Sequence, residues 1–196
     1  MQPACLDLPI TPGATNRKPL FLLQPRWERR AIAEVQRTPS LLLTVPAHDL
    51  PAEWPCWVEG VSGFTALNRQ PPQQAPWMVG VVNDDTVEIN ALNGAGQNAS
   101  GGWLVYQPGV DLTDATAVLT LTGPGSYSLQ LTTANSGLQV LGVGRLVIVL
   151  TPEQSAAIPR DGVTYTLDIT WSNSDVDRWL DGPVTVRRGG AHGCCT

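Results

Sequence analysis

The chain has 196 residues, enough to bury one large core or two small ones. Only 15% of them are charged, 42% are hydrophobic, and 19 glycines with 17 prolines divide the sequence into short elements, which favours β-structure over long charged helices. With a net charge of -5 there is no Lys/Arg excess to neutralise a phosphate backbone, so nucleic acid is not an expected partner.

No apolar run approaches the roughly 20 residues of a membrane helix, and no membrane partner is expected. Pro3, Asp7, Pro9 and Pro12 stand where a signal peptide would carry its apolar stretch, so a soluble protein made in the cytosol is expected. The cysteines, Cys5, Cys56, Cys194 and Cys195, form no CxxC pair. In a reducing cytosol they are expected to be free thiols.

Residues 1–36 begin the chain with one strand, at 20–23; residues 27–36 fit a helix by propensity or a strand by the alternation Ala31, Ala33, Val35, and periodicity does not decide between them. Arg26, Arg29 and Arg30 form the basic cluster of the sequence, with Arg37 as an extension. Against an acidic remainder they fit an interface with an acidic neighbour better than a nucleic-acid site.

Residues 37–106 have a different texture. They hold four of the seven tryptophans, a proline-rich stretch at 70–76, and Arg37 and Arg69 against six acids. A small separate β module is expected, with strands at 40–45, 57–61, 78–82, 86–89 and 103–106 and a hairpin at Asn83-Asp84-Asp85. Trp54, Trp57, Trp77 and Trp103 serve either as core and subunit interface or as a stacking platform for sugars; the former weighs more, since the module has few other large apolar residues. Trp54, Trp57 and Trp77, with Arg26, Arg29 and Arg30, are therefore the candidate interface residues.

Residues 107–188 read as a meander. Strands are expected at 117–121 and 127–132 about the turn Gly123-Pro124-Gly125, then at 138–140 and 145–150, the last buried on both faces. Thr151-Pro152-Glu153 starts a short helix that Pro159 stops. Residues 163–171 place Val163, Tyr165, Leu167, Ile169 and Trp171 on one face, and strands at 176–180 and 184–187 follow about a turn at Asp181-Gly182-Pro183. About six short strands at hairpin spacing are the signature of a β-sandwich. Residues 189–196 form a Gly-rich tail that cannot preorganise His192, Cys194 and Cys195 as metal ligands.

A Ser-His-Asp or Cys-His arrangement would have to use His48, yet no Gly-x-Ser-x-Gly elbow and no cysteine stands beside it. His48 is expected at a strand end, bonded to a loop carbonyl. Asp84, Asp85 and Glu88, or Asp175, Asp177 and Asp181, miss the spacing of an EF-hand loop and read as solvated turn acids. No catalytic residue, metal or cofactor is expected.

The stretches Val45-Pro46-Ala47-His48-Asp49-Leu50-Pro51, Trp57-Val58-Glu59-Gly60-Val61-Ser62-Gly63-Phe64, Leu67-Asn68, Asn83-Asp84-Asp85-Thr86-Val87-Glu88-Ile89-Asn90 and Ser100-Gly101-Gly102 resemble a module recurrent in phage tail proteins. That module is compared with the first catalytic-cysteine half-domain of ubiquitin-activating enzymes; here His48-Asp49-Leu50 stands where His-Gly-Leu is commoner. Val110-Asp111-Leu112-Thr113-Asp114-Ala115-Thr116-Ala117, with the strands at 165–167 and 184–186, resembles the N-terminal β-sandwich of phage baseplate upper proteins, and residues 6–15 match its opening. The resemblance implies an all-β fold: a β-sandwich made from residues 1–36 and 107–188, with a small β-barrel-like module, 37–106, inserted. It also implies a non-enzymatic structural protein of a tailed-phage virion, made in the host cytoplasm, in the tail, baseplate or fibre attachment. Its partners would be other virion proteins and copies of itself. Capsid decoration, a head-to-tail connector, or a carbohydrate-binding receptor module are the alternative roles.

Overall fold

In the computed structural model, which describes residues 3–187, strands hold 49% of the chain and helix 6%, so the fold is all-β. Two compact units divide it. The chain leaves the first unit after Leu22 and returns to it at Asp111, and the second unit is Leu23–Val110. These limits differ from the expected 36/37 and 106/107: the strands of residues 28–36 pair inside the second unit, and residues 108–109 bond to residues 23–24.

The first unit opens with β1 (Ala4–Cys5), β2 (Leu8–Ile10) and β3 (Asn16–Phe21). The second holds β4 (Glu28–Ala31), β5 (Glu34–Gln36), β6 (Leu41–Thr44), β7 (Trp54–Glu59), β8 (Trp77–Asn83), β9 (Thr86–Ile89) and β10 (Trp103–Tyr106). The first unit then resumes with β11 (Thr116–Gly123), β12 (Tyr127–Thr132), β13 (Leu138–Gly142) and β14 (Arg145–Leu150), the helix α1 (Pro152–Ala157), β15 (Thr164–Thr170) and β16 (Val176–Val186).

The first unit is sandwich-like. One sheet runs β1-β16-β15-β11-β12, with β2 also on β16, and a second runs β13-β14-β3. Alternation builds the core: Ala117, Leu119 and Leu121, then Tyr165, Leu167 and Ile169, point inward from the first sheet, and Leu146, Ile148 and Leu150 from the second. β14 is thus buried on one face and half-buried at Val147 and Val149, where burial on both faces was expected. The helix forms as its signals require. Thr151 Oγ1 accepts from Gln154 N, Gln154 Oε1 accepts from Thr151 N, and Pro152 takes the first helical position.

The turn expected at Asp181-Gly182-Pro183 does not form, and β16 runs through it. The reason is a partner distant in sequence. β1 pairs in parallel with Leu180 and Asp181, β2 with residues 184–186, and Leu6 N donates to Asp181 O between them. Gly182 is needed for this approach, since a Cβ there would lie 2.2 Å from Leu6 O. Tyr165 fixes the same peptide by donating from its hydroxyl to Leu6 O at 2.8 Å.

The second unit is a single sheet of seven strands, β4-β10-β7-β8-β9-β6-β5. Residues 27–36 resolve as two strands rather than a helix, separated where Ile32 N donates to Gly102 O and Ala33 N to Thr44 O. One segment therefore serves both ends of the sheet path, first against β10 and then against β6. No ladder joins β4 to β5, so the sheet of this barrel-like module is not closed into a barrel.

Candidate functional site

The cross-strand register of the second unit sorts its side chains. Ala31, Trp103 and Glu59 lie in one row and Arg29, Val105 and Trp57 in the next row on the same face, two residues along; Pro55 and Met78 continue that face. Trp27 adds to it, its ring edge-on to Trp57 with centroids 5.2 Å apart. Trp27, Trp103 and Met78 are each about two-fifths exposed, whereas Trp57 and Val105 beneath are buried. Arg29 binds Glu59 at 2.7 Å and sits 5.6 Å from the Trp103 ring centroid, a cation–π distance.

The three tryptophans singled out from sequence are framework. Trp54, Trp57 and Trp77 are buried, and their indole N–H groups donate to Gln107 O, Gln74 O and Leu67 O at 2.9, 2.6 and 2.9 Å. Each N–H thereby fastens a loop carbonyl to the sheet, and Arg69 stacks on Trp77 while donating to Ala75 O and Pro76 O. At 0, 6 and 7% exposure they present little surface of their own. The exposed pair is instead Trp27 and Trp103, a distinction visible in sequence only once the strand register of residues 27–31 is known.

The arginines separate as well. Adjacent strand residues point to opposite faces, so Arg29 lies on the tryptophan face while Arg30 lies on the other, binding Glu28 at 3.2 Å and Asp49 at 3.4 Å; Arg26 binds Glu28 at 3.2 Å. All three have acidic partners on their own chain, in place of a free basic cluster awaiting an acidic neighbour. Arg30 Nε also donates to the Tyr106 hydroxyl, which donates to His48 O at 2.6 Å, and burial raises the Tyr106 pKa.

His48 is buried with both ring nitrogens engaged. Nε2 lies 2.9 Å from Asn83 O, and Nδ1 accepts from Leu50 N at 3.1 Å, which makes Nε2 the protonated nitrogen. A ring so committed is a turn brace with no nitrogen open to a substrate. Its neighbour Asp49 has φ of +53°, the left-handed conformation that glycine takes freely and Asp tolerates better than most residues. Asp85 accepts from Ala47 N, Asp177 accepts from Trp171 Nε1, and among the described residues no three potential metal ligands come together. Cys56 is a free buried thiol whose pKa burial pushes well up, and Cys5 is free and exposed. His192, Cys194 and Cys195 lie outside the described residues.

Beside the tryptophan face, a cleft of about 500 Å³ is lined by Glu59, Asn68, Arg69, Gln70 and Gln74. Asn68 is spent on Val61, its amide bonding both N and O of that residue at 2.9 Å. The face presents flat aromatic and aliphatic surface, one guanidinium and one carboxylate. Such a surface can bury apolar area and orient a partner.

No family model matches this chain, and a search of curated proteins returns no match. The likeness to phage modules therefore rests on the residues quoted above.

Proposed function

We propose that this protein is a structural component of a tailed-phage virion, in the tail, baseplate or fibre attachment, acting through protein–protein interfaces. The observation that carries the reading is the exposed face of Trp27, Arg29, Met78 and Trp103 on a sheet whose other tryptophans are already used as core. Trp, Met and Arg are the residue types that concentrate at interface centres, and a Trp over packed sheet is a rigid anchor. The discontinuous arrangement, a second unit carried within a sandwich-like first one, agrees with the order of the two phage resemblances. The protein would be made in the host cytoplasm, need no cofactor, perform no catalysis, and dock against other virion proteins and copies of itself.

The test is mass spectrometry of intact particles against separated heads and tails. Fixed stoichiometry in the tail fraction supports the proposal. Recovery with heads moves the protein to capsid decoration or a head-to-tail connector, and absence from all particles overturns the virion reading. The same face would suit a sugar, since an exposed indole beside Arg29 and Glu59 can stack and hydrogen-bond a pyranose. Saturable glycan binding lost in W103A would then identify a carbohydrate receptor module.

A further inference from the structure

Residues 115–144 contain no Asp, Glu, Lys, Arg or His, an uninterrupted 30 residues in a chain that is 15% charged. They build β11, β12 and β13, and the last two end their sheets. Exposed edges invite pairing and are ordinarily guarded by charge, proline, brevity or a bulge. The other edges of this unit are guarded in that way: β3 carries Arg17, Lys18 and Pro19, and β1 and β2 are two and three residues long. On β12 the Asn135 carboxamide stands in for a neighbouring strand, accepting from Thr132 N at 2.8 Å and donating to Gln130 O at 3.1 Å. β13 has neither a charge nor such a cap, and its bulge lies only at its far end, between Val140 and Gly142. Val140, Leu141 and Val143 are 42, 53 and 44% exposed there, three of the nine large exposed hydrophobics among the described residues, within four positions.

We propose that this edge joins two copies of the chain, β13 pairing antiparallel with β13 of the second copy about a two-fold axis and burying Val140, Leu141 and Val143. Charge selects the occupant. Near a two-fold axis each side chain meets its own copy, so any charge there faces its like, and a chain of net charge -5 needs a neutral patch for such a contact. A partner recognised through opposite charge finds nothing to engage on residues 115–144. Antiparallel pairing satisfies the outward N–H and C=O groups of both copies with the same set of bonds. The register shift between Val140 and Gly142 ends the regular ladder, so main-chain pairing is confined to residues 138–140, and Leu141 and Val143 are covered by side-chain packing beside it. The inference deepens the assembly reading above and takes its biological setting from it.

Sedimentation of the purified full chain tests the contact without any particle. A concentration-dependent dimer is expected. V140K and V140E should each weaken it at least tenfold, with an unchanged melting temperature at concentrations where the wild type is monomeric, since Val140 is already exposed, and an equal mixture of the two should dimerise again. A monomer at all concentrations, a dimer indifferent to both variants, or a mixture that stays monomeric while the wild type dimerises overturns the proposal. Failure here with the protein present in tails leaves the virion reading standing; a dimer absent from all particles does the reverse.

Discussion

In the second unit, both ends of the sheet path fall on one segment bearing Glu28, Arg29, Arg30 and Glu34, whereas in the first unit β12 and β13 end their sheets without a single charge. A sheet whose terminal strands are charged resists edge pairing, so under the proposed function the contacts of the second unit would fall to side chains on its outer face. The first unit leaves main chain and aliphatic residues open at an edge. Cores differ in parallel. The second unit stands on tryptophans that each hold a loop carbonyl, the first on period-two aliphatic strands. Indole anchors tolerate long loops such as residues 60–76, because each N–H replaces a ladder bond those loops lack; regular strands joined by tight turns need no such anchors.

The sharpest break of that contrast is W54A. It empties a fully buried site and strands the Gln107 carbonyl, for an expected loss of about 3–5 kcal/mol. Five of the seven tryptophans lie in the second unit, so urea unfolding followed by indole fluorescence reads it directly. A loss under about 1 kcal/mol would mean that the tryptophan framework is not what holds the unit. In the first unit the comparable strain test is G182A, whose Cβ has no room beside Leu6 O; an expected cost of about 1–3 kcal/mol should appear with faster amide exchange in β1 and β2. G80A is the control, because its Cβ would meet only Glu88 Oε2 at 4.0 Å. Equal melting of G182A and wild type would show that the N-terminal strands contribute nothing.

Local signals found the local elements. Strands β9 and β10 lie where alternation places them, at residues 86–89 and 103–106, and α1 starts where Thr151-Pro152 caps it. What the sequence concealed was decided by residues far apart in the chain. Gly182-Pro183 has turn composition but lies in a strand, because the partner of that strand is 176 residues upstream, Leu8 lying opposite Val184. Likewise Trp54 and Trp103 are equally apolar on paper, and only the register between β4, β10 and β7 puts one in the core and the other in solvent. For His48 the expectation is a strand end bonded to a loop carbonyl, and the carbonyl it meets is that of Asn83, the last residue of β8.

Alkaline pH offers a gentler probe of the N-terminal attachment. Burial, followed by the nearby Cys5, Asp181 and Asp7, pushes the Tyr165 pKa up to about 12. A phenol whose folded pKa exceeds its unfolded value near 10 stabilises the fold fully below pH ~10, and that contribution is lost as pH rises through about 12. Stability should therefore fall between those values, with tyrosinate absorbance rising in step. Y165F should cost about 1 kcal/mol at neutral pH, for the lost bond to Leu6 O, and flatten the alkaline slope. An unchanged slope would assign the alkaline loss to another group.

The smallest expected effect on stability separates framework from docking face most cleanly. Arg29 and Glu59 are 56 and 28% exposed, and an ion pair in that setting contributes about 0–1 kcal/mol. R29A should therefore melt almost as the wild type does, while its loss from the Trp103 ring removes a fixed cation from the outer face. If that face docks another virion protein, R29A and W103A should fold normally and yet enter particles less well, unlike W54A, which should fail by unfolding. A stability loss above about 2 kcal/mol in R29A, far beyond the range of an exposed pair, would place Arg29 in the framework and leave the docking face to Trp27, Met78 and Trp103. Normal particle entry by both R29A and W103A would instead shift assembly to the uncharged edge of the first unit.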